Sequence, residues 1–380
     1  MWGIRPNSFI AHAQAGVTSN RVLWKMKGLL LAGGHGTRLR PLTYTGNKHM
    51  LPIANKPMLM YGFDQLRASG IKEVGVVLGP IQEGIVDALG DGGKFGVRIT
   101  YIDQPEPKGI AHAVLISRDF LGSDPFVVHL GDNLLKESIP SLAQEFRKSD
   151  SDATVLVSRV KDPGRFGVVQ ISDGKIVKLV EKPKEYVSDL ALAGVYFFRQ
   201  RIFDTIQRLR PSWRNELEIT EAIQNLLAEG GKIAYHEITG WWKDTGRPED
   251  ILEANQLVLS DLKSSMKGNV EDGVAIGGNV ELGEGSVVRQ GAALRGPVVI
   301  GEHSEIGKGA YIGPYTSIGS KVRIFGAEIE NSIVLDGAVI DCRERIVDSI
   351  IGKDSKILSN GNHRPSGRRF VVGESTFVSL

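Results

Sequence analysis

IGGNVELGEGSVVRQGAALRGPVVIGEHSEIGKGAYIGPYTSIGSKVRIFG, residues 276–326, carries an aliphatic side chain at every sixth position: Ile276, Leu282, Val288, Leu294, Ile300, Ile306, Ile312, Ile318 and Ile324. Glycine follows directly at Gly277, Gly283, Gly301, Gly307, Gly313 and Gly319. A period of six fits neither the helical repeat nor the two-residue alternation of a lone strand. It fits a parallel β-helix, in which each hexapeptide is one short strand and a corner, and stacked coils bury the aliphatics in one continuous core. The phase slips between Ala327 and Ser332 and returns in part at Val334, Ile340, Ile346, Ile351 and Ile357. The solenoid is expected over residues 263–358, with a tail at 359–380 that loses the period and caps or wraps its end.

Upstream, short apolar runs alternate with longer amphipathic stretches: GLLLAG, PMLMYGFDQLRASG, EVGVVLG, QEGIVDALGDG. That alternation is the βαβ signature of an α/β domain with a mainly parallel sheet covered by helices. Further strands are expected at VRITYID, PFVVHLG, ATVLVSR and GVYFFR. Helices are expected at SIPSLAQEFRKS, EITEAIQNLLAEG and RPEDILEANQLVLSDLKSSM. The domain is expected over residues 26–262. The first 25 residues lack the apolar centre of a secretory signal and are expected to be a disordered extension.

The chain has 380 residues, 41% of them hydrophobic, which excludes wholesale disorder. The lone Cys342 excludes a disulfide framework or a cysteine zinc site and points to a reducing compartment, the cytoplasm. No uncharged apolar run is long enough to span a bilayer, so no membrane partner is expected. The net charge of +2 hides an asymmetry. Residues 1–63 contain eight Lys or Arg and no Asp or Glu, which leaves 38 bases against 44 acids, or −6, in the remainder. These cations sit among glycines and strand residues, without interleaved aromatics, which favours a small phosphorylated ligand over nucleic acid.

Chemistry concentrates in LLLAGGHGTRLRPLT, Leu29 to Thr43, a glycine-rich turn behind the first strand. Its backbone N–H groups can approach phosphate oxygens while Arg38 offers a forked, permanently charged partner. The turn is neither the GxGxxG dinucleotide fingerprint nor the GxxxxGK[ST] loop. In FVVHLGDN the apolar run ends at Gly131, leaving Asp132 at the carboxyl end of the sheet, where ligands of open α/β sheets bind. The eight histidines form no metal-ligand spacing.

The segments AGGHGTRLRPLT, KHMLPI and NKPM together resemble the signature of the sugar-1-phosphate nucleotidyltransferases, and the repeat tail resembles the long form of the glucose-1-phosphate thymidylyltransferase group. The resemblance runs from Met26 to about Ile357. It implies a Rossmann-like nucleotidyltransferase domain followed by a left-handed β-helix. It also implies dTTP and glucose 1-phosphate as substrates, with Mg²⁺ as cofactor. By the same resemblance Leu31, Gly33, Gly34, Gly36, Thr37 and Arg38 hold the triphosphate, and Lys48 meets the phosphates near the reacting centre. Gln104 and Gly109 read the base, since a carboxamide can both donate and accept as thymine or uracil requires. Asp132 and Asp244, the latter in WWKDTG, hold the metal. Gly167, Glu181, Lys182 and Gly194, with Asp132, form the sugar-phosphate side, and NELEITE with Glu216 and Thr220 is similar to the family's ELEIT segment. Arg38, Lys48, Asp132 and Lys182 are the expected catalytic group. A UTP- or GTP-using relative, such as a mannose-1-phosphate guanylyltransferase, and a non-catalytic regulatory paralogue share much of this pattern. Some hexapeptide β-helices are acyltransferases with a histidine base. His303 is the one histidine in the regular repeats, and without a coenzyme A signature no second activity is expected of it. The exposed aliphatic edges of a solenoid need covering, so a homo-oligomer is expected through this region.

Overall fold

The computed structural model describes residues 25–44 and 46–359. The expected extension before Lys25 and the tail after Ser359 lie outside the described residues. The first part of the chain runs β1 (Lys27–Ala32), β2 (Pro52–Ile53), β3 (Lys56–Pro57), α1 (Met58–Ala68), β4 (Glu73–Leu78), α2 (Ile85–Leu89), β5 (Arg98–Asp103), α3 (Ile110–Ile116), α4 (Arg118–Leu121), β6 (Phe126–Leu130) and β7 (Asn133–Leu135). It continues with α5 (Pro140–Lys148), β8 (Ala153–Arg159), β9 (Gly167–Ser172), β10 (Lys175–Glu181), β11 (Leu190–Phe198), α6 (Arg201–Ile206), α7 (Ile219–Ala228), β12 (Ile233–Glu237), β13 (Trp242–Asp244) and α8 (Pro248–Leu259).

Nine of these strands form one sheet, in the order β10-β9-β11-β6-β1-β4-β5, with β8 on β11 and β12 on β8. The strands β6, β1, β4 and β5 are mutually parallel, while β11 pairs antiparallel with β6, β8 and β9. The sheet is therefore mixed, and its parallel half carries the glycine-rich turn. Alternate residues of each strand enter opposite cores, as the pleat requires. Leu29 and Leu31 of β1 join α3, α6 and α7 on one face, whereas Leu30 and Ala32 join α1, α2 and α5 on the other. Burial on both faces explains why these strands read as continuous apolar runs. The expected strand GVYFFR begins earlier, at Leu190, and all nine of its residues are buried. The expected helix over 247–266 stops at Leu259, because Ser265–Met266 already pairs with the solenoid.

The repeat region is built of three sheets with every pairing parallel. Ile276 stands opposite Leu294 and Leu294 opposite Ile312, so one coil is three hexapeptides. Leu282, Val288, Leu294, Ile300, Ile306, Ile312, Ile318 and Ile324 are all buried in one core. Ile276 is not. It is 43% exposed, since its strand has a neighbour on one side only. At the phase slip the missing aliphatic is Ile329, fully buried and five positions from both Ile324 and Val334, so a shortened corner preserves the stack.

One face of the solenoid packs on the first domain. Leu39, Leu51, Ile53, Met58, Leu134, Ile251 and Ala254 form a single apolar cluster with Ile333 of the repeat region. Asn255 of α8 is fully buried at this junction. Its Oδ1 accepts from Ala54 N–H (2.8 Å) and from the Ser317 hydroxyl (2.7 Å), and its Nδ2 donates to the Tyr315 carbonyl (3.0 Å). Asn55 Nδ2 donates to the Ile318 carbonyl at 2.6 Å. No helix among the described residues is long and apolar enough to cross a membrane.

Candidate active site

The parallel strands all end on one side of the sheet. Gly33 follows β1, Gly79 follows β4, Gln104 follows β5 and Asp132 follows β6. This is the crevice an open α/β sheet leaves for ligands. A cleft of about 320 Å³ opens there, lined by Leu31, Gly33, Gly34, Arg38, Lys48, Gln104, Gly109, Asp132, Gly167, Glu181, Lys182 and Asp244 together.

The turn after β1 is shaped by close backbone approach. A Cβ on Gly79 would lie 2.9 Å from Gly34 N and 3.0 Å from Gly33 Cα, so the end of β4 presses the turn from beneath. Gly34 has φ +101°, a conformation open to glycine at no steric cost. The turn leads into a short 3₁₀ segment, Thr37–Leu39, in which Leu39 is buried and Arg38 projects outward. Among the described residues no carboxylate lies within ion-pair distance of Arg38, and its field reaches Asp244.

The two aspartates are held by the antiparallel pair β7–β13, in which Asp244 stands opposite Asn133. Thr245 locks the geometry: its N–H and its hydroxyl donate to the Asp132 carbonyl at 3.0 and 2.7 Å. Asn133 Nδ2 donates to Asp132 Oδ1 at 2.9 Å, and the Trp242 indole N–H donates to Asn133 Oδ1 at 2.8 Å. Asp132 is in a salt bridge with Lys48. Burial alone would raise its pKa, but the Lys48 charge and the two donated hydrogen bonds pull it well below the ordinary carboxylate range. Asp244 moves the other way, up to about 6, through burial and then the Asp132 charge beside it. Two half-buried carboxylates that repel each other at the rim of an anion cleft suit a hard divalent cation, which takes one or two protein carboxylates plus phosphate oxygens. The pair of carboxylates, Asp132 and Asp244, fits a hard divalent cation.

Across the cleft, Glu181 ends β10 and accepts from the Thr220 hydroxyl at 2.6 Å. Burial raises its pKa above the ordinary range. A Cβ on Gly167 would overlap Thr220 Oγ1 and lie 2.9 Å from Glu181 Oε2, so that glycine makes room for the pair. Lys182 takes φ +43°, which turns its side chain back to Glu181 at 3.9 Å, and burial lowers its pKa. Glu218 stands at the N-cap position of α7, but its side chain makes no cap hydrogen bond. It accepts from Ser212 at 2.8 Å and from Arg214 at 3.4 Å.

Three of the expected site residues do not line the cleft. Thr37 is exposed. A Cβ on Gly36 would meet Thr43 and Lys48 Cβ, so Gly36 supports the turn. Gly194 is buried at the β11 bulge with φ +70°, and a Cβ there would lie 2.6 Å from Asn133 Oδ1. Conversely, Asn133, Arg165, Arg214 and Trp242 line the cleft without having been singled out. Arg214 pairs with Glu216 in a fork at 2.8 and 2.9 Å and with Glu181 at 3.3 Å. Gly246 also escaped notice: a Cβ there would sit 3.1 Å from an Arg38 guanidinium nitrogen and 3.2 Å from Asp244 Oδ2. The signal for Arg214 was adjacency to NELEITE, and for Gly246 its place as the last residue of WWKDTG. His303, in the solenoid, stacks over Gly285, where a Cβ would overlap its ring.

Comparison with known proteins agrees with this geometry. Residues 27–261 match the family described as nucleotidyl transferase, and residues 294–374 match the GMPPB C-terminal domain. The chain is 51% identical over 357 residues to the low-salt glycan biosynthesis nucleotidyltransferase Agl11 of Haloferax volcanii, a match spanning 93% of this chain and 100% of that protein. It is 45% identical over 357 residues to the glucose-1-phosphate thymidylyltransferase of Streptomyces antibioticus, spanning 93% and 99%. A solved Bacillus anthracis structure, described as a glucose-1-phosphate thymidylyltransferase in complex with a sucrose, superposes with a TM-score of 0.59 at 40% identity, covering 63% of this chain and 98% of that one. A UDP-glucose pyrophosphorylase with bound UDP-glucose superposes with a TM-score of 0.56 at 26% identity, covering 62% and 99%.

Proposed function

The chain belongs to the nucleotidyl transferase family, and on that premise we propose that it transfers a thymidylyl group from dTTP to α-D-glucose 1-phosphate, giving dTDP-glucose and pyrophosphate with Mg²⁺ as the cation. The observation that carries this reading is the convergence of Arg38, Lys48, Asp132 and Asp244 on one cleft with Glu181 and Lys182. The choice of base and sugar is supported by the relatives that bear that name.

In the proposed reaction a phosphate oxygen of the sugar phosphate attacks the α-phosphorus, and the bond to the leaving pyrophosphate breaks. No protein nucleophile is needed. Both reactants are anions, so positioning and charge neutralisation supply the catalysis. A cation held by Asp132 and Asp244 would neutralise phosphate charge. The backbone of Gly33 and Gly34, with Arg38, cradles the triphosphate, and Lys48 meets the charge at the reacting centre. Glu181 accepts from sugar hydroxyls, while Lys182 and Arg214 neutralise the acceptor phosphate.

A second reading, uridylyl transfer, is favoured by one observation. The Gln104 carboxamide turns an oxygen to the cleft, and the N3–H of uracil satisfies it as well as that of thymine. Pyrophosphate release across a grid of nucleoside triphosphates and sugar 1-phosphates tests both. Fastest turnover with dTTP and glucose 1-phosphate is expected, and preference for another pair would replace the base or sugar named here.

A further inference from the structure

Gln104 is 5% exposed, and its amide is held at the nitrogen end. Nε2 donates to the Gly109 carbonyl at 3.2 Å and lies 2.9 Å from His112 Nδ1. A carbonyl oxygen accepts only, so the end of the amide that faces Gly109 must be the NH₂. That fixes the second contact as well. One hydrogen of the NH₂ goes to Gly109, the other goes to His112, and Nδ1 of His112 must accept it. The imidazole is thereby neutral with its proton on Nε2, since an imidazolium donates from both nitrogens. Both amide hydrogens are spent within the protein. The oxygen end has no hydrogen bond from the described residues and lies against Gly33, where a Cβ would come within 3.1 Å of it at the cleft wall. The carboxamide therefore does not offer the mixed donor–acceptor edge that its residue type allows. It offers an acceptor alone.

We propose that His112 is the positioning residue for base choice: by taking the second Gln104 hydrogen it leaves the nucleotide base an acceptor only, which selects thymine or uracil over cytosine. The discrimination lies at ring position N3. Thymine and uracil carry N–H there and can donate to Gln104 Oε1, whereas cytosine carries a lone pair that meets another lone pair. Without His112 the Gly109 carbonyl alone holds the NH₂ end, so the carboxamide can turn a donor to cytosine at the cost of one hydrogen bond rather than two. This inference rests on the reading that Gln104 meets the base. Partial burial is the main influence against protonating His112; of the charged groups facing it, Lys108 opposes protonation too and Glu106 favours it. The neutral form therefore persists below the ordinary imidazole range, and acid is expected to convert Nδ1 from acceptor to donor and set it against the Gln104 NH₂.

Titration calorimetry of the full chain with dTTP and with dCTP, in Mg²⁺, reads the effect as a ratio of dissociation constants without requiring a sugar acceptor. His112→Ala is expected to narrow the wild-type preference for dTTP severalfold, up to about tenfold, the range of one neutral hydrogen bond. His112→Gln, whose side-chain oxygen can accept in place of Nδ1, is expected to restore it. Wild-type protein is expected to lose preference only once the pH falls below the ordinary imidazole range, and His112→Gln to keep it. A merely structural histidine would weaken both nucleotides alike and leave the ratio unmoved. If Gln104→Ala leaves the ratio unchanged, Gln104 does not meet the base and the inference falls with that reading. If Gln104→Ala narrows it while His112→Ala and acid do not, the role of His112 alone is overturned.

Discussion

At the scale of single residues, the site opposes a cation to an anion and then crowds a second anion beside them. Lys48 neutralises Asp132, and the Asp132 charge in turn holds a proton more tightly on Asp244. Lys48→Ala and Asp132→Asn each remove a preorganised charge, so product formation is expected to fall about 10²–10³-fold. Far-UV circular dichroism should remain that of the wild type, and a variant with full turnover would remove that residue from the mechanism. Gly246→Ala is the subtler probe, because its Cβ would press Arg38 and Asp244 without any backbone strain. A drop in kcat/KM of about tenfold is expected, in line with the steep cost of small misplacements, while the urea midpoint stays put. An unchanged kcat/KM would show that Arg38 moves aside freely. Arg38, Lys48, Asp132 and Asp244 were legible in the sequence because each lies in a short local motif: Arg38 and Lys48 in the segments between β1 and β2, Asp132 just after β6 and Asp244 at the end of β13. Arg214 was not, because its meaning comes from Glu181, 33 positions away in sequence. The contacts of the Gln104 amide nitrogen with Gly109 and His112 were not legible for the same reason, since only folding brings those groups together.

Among the elements, α8 links the two regions: it begins at Pro248, shortly after Asp244, and it carries Asn255 into the junction with the solenoid. Asn255→Leu would strip the Ala54 N–H, the Tyr315 carbonyl and the buried Ser317 hydroxyl of their Asn255 partner. A loss of about 2–4 kcal/mol follows from two or three such groups, to be read as a lower urea midpoint. No change in midpoint would mean that water replaces Asn255 and that the junction is looser than drawn. The repeat was legible because a six-residue period is enforced by every coil in turn. Ile329 escaped because a corner shortened by one residue keeps its place in the stack while breaking the count. The antiparallel partners of β11 escaped because an apolar strand buried on both faces carries no mark of its neighbours' direction.

For the molecule as a whole, the solenoid is more than an appendage, since Ile333 completes the apolar cluster that contains Leu39 of the glycine-rich turn and Leu51 beside Lys48. Deleting everything after Leu262 is expected to expose that cluster, and with it to lower both solubility and turnover. A truncated chain with wild-type stability and rate would reduce the solenoid to a surface for self-association. The exposed Met266, Ile276, Val347 and Leu358 at the ends of the repeat region still suit such a surface, and light scattering of the full chain is expected to give more than the 41.3 kDa monomer mass. None of this bears on chemistry unless the cleft transfers nucleotides. The most direct measurement is pyrophosphate released by the wild-type chain from dTTP and glucose 1-phosphate, with Mg²⁺ and again with excess EDTA. Release in step with dTDP-glucose, abolished by EDTA, is the expected result. Absence of pyrophosphate with every pairing of nucleoside triphosphate and sugar 1-phosphate would contradict the account.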